Sequence, residues 1–177
     1  MRNAADTTFE KTRTKSTSYS RNSGRKMYQT DLYQQVIGFT CAHCKIYISS
    51  DFLLSGVQNR NHCPYCLWSK HVDLHQSGDR LCACKAPMCP VGLAFKRTRN
   101  KYGSGQGELM IIHRCTDCGG VSINRIAADD DNEKLLRLFD SSLHLDAAFR
   151  TQLKLEGIQT VHTEDLPLVR ARLFGHE

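Results

Sequence analysis

The spacing of apolar positions changes along the chain, and each change marks a different kind of segment. Residues 1–30 show neither a helical nor an alternating period and are rich in Ser, Thr, Lys and Arg, which predicts a disordered basic arm. Residues 31–90 carry closely spaced cysteines and few long apolar runs, so they need metal staples to make a core. Residues 91–99 and 108–114 read as two strands joined by a turn, Asn100 to Gly107, that holds three glycines. Residues 120–127 read as a third strand. From Asp129 the period becomes helical. Leu135, Leu136, Leu138 and Phe139 form one apolar face, with Asp129 to Asp131 and Glu133 at the dipole-positive end. A second helix is predicted over 146–155, closed by Gly157, and a third starting at Thr163 as N-cap.

The chemistry lies in the nine cysteines of this 177-residue chain. Three Cys-x-x-Cys pairs occur: Cys41/Cys44, Cys63/Cys66 and Cys115/Cys118. Two intervening residues let the backbone fold into a tight knuckle that points both sulfurs at one ion. The first two pairs stand 18 residues apart, which fits the spacing of a four-cysteine structural zinc site. A thioredoxin-like redox pair would need a βαβ setting that the pattern lacks. Cys115 and Cys118, followed by Gly119-Gly120, need partners. Cys82, Cys84, Cys89, His71, His75 and His113 are candidates; Cys84 is the first choice, with Cys82 or His71 as the eighth ligand and Cys89 left over. The expected fold is a small zinc-stabilised mainly-β domain, built of zinc-ribbon-like knuckles and a β-hairpin, with a short α-helical C-terminal region. The expected divisions are an arm at 1–30, a zinc domain at 31–128 and a helical extension at 129–177.

Composition then narrows the setting. No run approaches the roughly 18 apolar residues of a membrane span, and no apolar segment follows Met1 as a secretory leader would, so a cytoplasmic protein is expected. The net charge of +6 is uneven: +5 over residues 1–30, +4 over 31–110 and −3 over 111–177. A basic front suits a polyanionic partner.

The string Arg60-Asn61-His62-Cys63-Pro64-Tyr65-Cys66-Leu67-Trp68-Ser69-Lys70-His71-Val72-Asp73, then Gly78-Asp79-Arg80, resembles the RNHCP domain. The likeness continues through Cys84, Met88 and Pro90, through His113-Arg114-Cys115 and Cys118-Gly119, and through Asn124 to Ala127, covering residues 38 to 131. Ala86 stands where relatives tend to have glycine, and Cys82 and Cys89 look like additions of this sequence. The resemblance implies zinc binding and no defined activity.

The polar residues yield the functional expectations. Arg60 and His62 are read either as phosphate contacts presented by a rigid knuckle or as supports of it. Asn61 reads as a backbone cap and Trp68 as core. Lys96, Arg97, Arg99 and Lys101, with Tyr102, make a basic turn suited to a nucleic-acid backbone. No recognition helix lies among these cations, which favours RNA over duplex DNA; the ribosome is suggested as its setting by analogy alone, since small zinc ribbons with basic arms are common among ribosomal proteins. The expected function is therefore non-catalytic RNA binding. His71, Asp73, His75 and Asp79 offer a metal-dependent nuclease of HNH type as the alternative, although their order differs from that of such enzymes. A third reading is a protein adaptor whose partner binds Leu166, Leu168, Val169 and Leu173; plain helical packing competes with it.

Overall fold

The computed structural model describes residues 38–96 and 107–175. The basic arm, and Arg97, Arg99, Lys101 and Tyr102 of the basic turn, lie outside the described residues.

The described residues begin with a two-stranded antiparallel sheet, β1 (Gly38–Thr40) and β2 (Tyr47–Ser49), which brackets the first Cys-x-x-Cys. A single helical turn, α1 (Phe52–Ser55), follows; the Asp51 carboxylate caps it by accepting the Leu53 N–H. The main sheet is antiparallel, in the order β3 (Ser69–Lys70), β4 (Pro87–Lys96), β5 (Glu108–Cys115), β6 (Val121–Arg125). A short strand, β7 (Gln159–Thr160), pairs with the far end of β4. Strand β4 starts four residues earlier than the apolar pattern indicates. Met88 and its neighbours pair on both sides, with Ser69 and with Cys115, and a bulge between Pro90 and Gly92 absorbs the break in alternation.

Three helices follow, close to where their period and caps place them: α2 (Asn132–Leu143), α3 (Ala147–Leu155) and α4 (Leu166–Phe174). Asp131 caps α2 through the Lys134 N–H, and Asp146 caps α3 through the Phe149 N–H. Thr163 does not cap α4. Residues Thr163–Asp165 form a 3₁₀ turn ahead of it, and the Asp165 carboxylate accepts the His162 N–H at 2.7 Å.

The alternation of β4 and β5 puts an apolar row on each sheet face. Leu93, Leu109 and Ile111 pack with Leu67, Leu135, Phe139, Val161 and Val169. Ala94 and Ile112 pack with Phe149 and Leu153, and the Arg114 guanidinium lies over the Phe149 ring at 4.9 Å. The helices thus share their cores with the sheet. Val169 is fully buried, and Leu166 and Leu173 pack against the same cluster. Close approach of α2 to β4 depends on Gly92: a Cβ there would lie 2.9 Å from Ser142 Oγ, which accepts the Leu93 N–H at 2.7 Å. No helix among the described residues is long and apolar enough to cross a membrane.

Candidate metal centres

The three Cys-x-x-Cys segments fold into the same turn. In each, the backbone N–H four residues after the first cysteine bonds back to its carbonyl: Lys45 to Cys41 (3.0 Å), Leu67 to Cys63 (2.8 Å) and Gly119 to Cys115 (3.2 Å). The first cysteine's own N–H then reaches the carbonyl five residues on, at Ile46, Trp68 and Gly120. Closing this ring forces the residue after the second cysteine into the left-handed region, with φ of 64° at Lys45, 61° at Leu67 and 72° at Gly119. Only Gly119 takes that conformation without a steric cost. The other two are held in it by the surrounding hydrogen bonds.

Two of the knuckles converge. Cys41 Sγ lies 3.5 Å from Cys66 Sγ, and Cys44 Sγ lies 3.6 Å from Cys63 Sγ. All four sulfurs lie within 4.8 Å of one another, with Cys41 and Cys63 buried. The third knuckle meets the segment ahead of β4. Cys84 Sγ lies 3.6 Å from Cys115 Sγ, and His71 Nδ1 lies 3.3 Å from Cys118 Sγ. Those four donor atoms also fall within 4.8 Å of one another. The segment is held in place by paired backbone bonds, His71 N–H to Ala86 O and Lys85 N–H to His71 O. Of the two candidates for eighth ligand, the structure brings His71 to the cluster. Cys82 is buried outside it, and Cys89 is half-buried with its thiol toward the Pro90 carbonyl. None of the nine cysteines forms a disulfide.

The donors fit a tetrahedral ion. Bonds of about 2.3 Å to sulfur imply S···S edges of about 3.8 Å, and a nitrogen at about 2.0 Å shortens an S···N edge to about 3.5 Å. The observed separations of 3.3 to 3.6 Å are close to these values. Thiol acidity also favours a cation. The Ile46 N–H is the main influence holding Cys44 down, to about 7. Burial pushes Cys66 well up. At the second cluster burial raises Cys115, but the N–H groups of Cys118 and Asp117 outweigh it and bring the thiol to about 6. Cys84 benefits from the Ala86 N–H, yet burial and the neighbouring sulfurs carry it to about 11. One thiolate forms readily in each cluster and then opposes the next. A bound cation removes that opposition, so metal uptake releases protons. The two clusters differ in access: Cys118 is exposed, and Cys84 and His71 are half-buried. Gly120 is needed for the fit, since a Cβ there would lie 3.0 Å from His71 Cε1 and 3.3 Å from Cys118 Sγ.

The sequence model of the RNHCP domain matches residues 36–136. The chain belongs to the RNHCP domain family. Searches of curated proteins and of solved structures returned no match.

The residues that spell the RNHCP name hold the domain together. Arg60 is buried and uses its whole guanidinium: Nε donates to His62 O (3.2 Å), Nη1 to Asp129 (2.8 Å) and Nη2 to Asp130 (3.2 Å). His62, also buried, places Nε2 2.8 and 2.9 Å from the two Asp130 oxygens. The expectation that Arg60 and His62 contact phosphate is therefore corrected: both are shut away from solvent and paired with carboxylates. Asn61 donates to the Lys70 carbonyl at 2.8 Å, and the Pro64 carbonyl accepts the Asp131 N–H at 3.1 Å. The knuckle is thereby fastened to the start of α2.

Sequence reasoning missed Asp129 and Asp130 as partners. Three consecutive acids exceed what one helix cap needs, and that surplus was the available signal. His113, a further candidate ligand for the second site, stands outside that cluster. This ring is fully buried, with Nε2–H donating to Leu67 O at 2.7 Å and Nδ1 accepting from Asn124 at 3.0 Å. Burial, and then the nearby His62, push its pKa down to about 3, so it stays neutral. Trp68 is half-buried rather than core and stacks on His43 at 4.2 Å and 6°. Three of the four groups offered for a nuclease have other contacts. His71 stands in the second cluster, and Asp73 accepts the N–H groups of Gly78 and Arg80. Asp79 accepts four backbone N–H groups and makes no ion pair with Arg80, which reaches Asp73 at 3.8 Å instead.

Proposed function

We propose that this RNHCP protein is a non-catalytic RNA-binding module of the cytoplasm, acting on the ribosome or elsewhere in translation, with zinc in both clusters. Two features support a structural rather than catalytic metal. Each cluster supplies four protein donors, three or four of them thiolates, the closed set preferred by structural zinc. No coordination position is left for substrate.

The observation that carries RNA binding is the cationic run Lys96, Arg97, Arg99 and Lys101, which begins at the end of β4 and continues in the chain toward β5. Lys96 is exposed at the last position of β4. The arm at 1–30 adds a charge of +5. Cations of this kind neutralise phosphates without reading sequence.

The test has two parts. Elemental analysis of purified protein is expected to find two zinc ions per chain. RNA binding by fluorescence anisotropy is expected to weaken as salt rises. Neutralising Lys96, Arg97, Arg99 and Lys101 together is expected to lower the slope of log affinity against log salt by roughly one for each phosphate no longer neutralised. No binding at low salt, or binding indifferent to those four changes, refutes the reading.

A further inference from the structure

Beside the first metal cluster, between β1 and β3, is a cavity of about 390 Å³. Its size falls in the range of roughly 300–1,000 Å³ typical of small-ligand sites. Phe39 and Trp68 supply aromatic wall, Val72 adds aliphatic surface, and Lys70 and Arg80 supply charge. Arg60 also lines it, but its guanidinium is already neutralised by Asp129 and Asp130. Among the described residues no carboxylate lines the cavity. Lys70 is exposed and has no ion pair among the described residues. The Arg80 side chain is 44% exposed, and its one ion pair, to Asp73, spans 3.8 Å. A half-buried indole, a second ring, the unpaired Lys70 and an Arg80 held only by a long ion pair make a complementary site for a flat ring joined to an anion.

We propose that this cavity receives one nucleotide of a single-stranded RNA, with the base against Trp68 and Phe39 and its phosphate on Lys70 and Arg80. The proposal rests on the RNA-binding reading above and adds a place where a base is received, which a cationic turn by itself does not provide. Single-stranded bases are free to leave the strand and stack on aromatic rings, as this cavity requires.

Trp68 is the chain's single tryptophan, so its emission reports on the cavity directly. Full-length, metal-loaded protein is titrated with a single-stranded RNA hexamer, a nucleoside monophosphate, the matching nucleoside and inorganic phosphate. The hexamer and the monophosphate are expected to change Trp68 emission saturably, the monophosphate more tightly than the nucleoside. Lys70→Gln and Arg80→Gln are each expected to weaken that titration several-fold, while Lys154→Gln, on α3, leaves it unchanged. Metal content of two per chain shows that each variant is folded. Anisotropy with labelled hexamer is read in parallel. RNA binding seen by anisotropy, with Trp68 emission and the Lys70 and Arg80 variants unaffected, overturns the cavity assignment while leaving RNA binding intact. Binding by neither measurement overturns both. Equal affinity for nucleoside and monophosphate removes the phosphate assignment, and competition by phosphate as strong as by monophosphate removes the base.

Discussion

Truncating Asp130 to Ala should be among the most damaging single changes in this protein. The carboxylate is completely buried and receives Arg60 Nη2, His62 Nε2 and, at 2.7 Å, the Ala127 N–H. Removing it leaves the Arg60 side chain, itself 0% exposed, with only Asp129 as a charged partner. The Asp129 side chain is 39% exposed, so solvent competes for that pair. Breaking one side of a buried ion pair costs about 3–5 kcal/mol, because the remaining charge stays desolvated. The orphaned Ala127 N–H belongs to the same disruption and adds less than its full share. Asp129→Ala provides the internal control: Arg60 keeps its buried partner, and the expected loss is about 1 kcal/mol or less. The assay is urea unfolding by circular dichroism at fixed free zinc, with zinc content measured for each variant so that metal loss is separated from loss of the pair. A loss for Asp130→Ala below about 1 kcal/mol, or equal to that for Asp129→Ala, would refute the assignment of this carboxylate as the fastening between the second knuckle and α2.

Further expectations concern the metal and the loop behind it. His71→Ala should reduce bound zinc from two ions per chain to one, whereas Cys82→Ser should leave two; the reverse result would assign the eighth ligand to Cys82. Gly120→Ala should speed chelator-driven release from the second cluster by roughly tenfold and leave release from the first unchanged, read as two phases with a chromogenic chelator. The N–H groups of Gln76, His75, Leu74 and Leu81 hold the Asp79 carboxyl well below its ordinary value of 3.8. Its contribution is therefore fully present above that value and is lost only as pH falls below it. Hydrogen exchange should show Asp79→Asn raising exchange at those four amides at neutral pH, while the wild-type loop stays protected at mildly acidic pH.

What could be read from the sequence followed from local rules. Cys-x-x-Cys spacing identified the knuckles because the turn is closed within six residues. The apolar period and the acids at its start located α2, and Gly157 marked the end of α3, because these signals are contiguous in the chain. Selection of His71 over Cys82 was not local: it depends on the pairing of His71 with Ala86 and Lys85, which sets what lies beside Cys84. Arg60 and His62 were misread for a related reason. A cation beside a knuckle looks available until the acids that neutralise it, some seventy residues later in the chain, fold back upon it. Thr163 matched a cap preference that the Asp165 carboxylate met from the other end of the turn.

The helices on either face of the sheet carry a practical consequence. The family match ends at residue 136, part-way through α2. A chain cut there would retain every proposed metal ligand. It would also lose Leu138, Phe139, Phe149, Leu153, Val161 and Val169, uncovering Leu93 and Ile111 on one side and Ala94 and Ile112 on the other. Such a fragment should take up zinc and still self-associate through both bare faces. In this protein the recognisable stretch of sequence is shorter than the unit that covers both faces of the sheet.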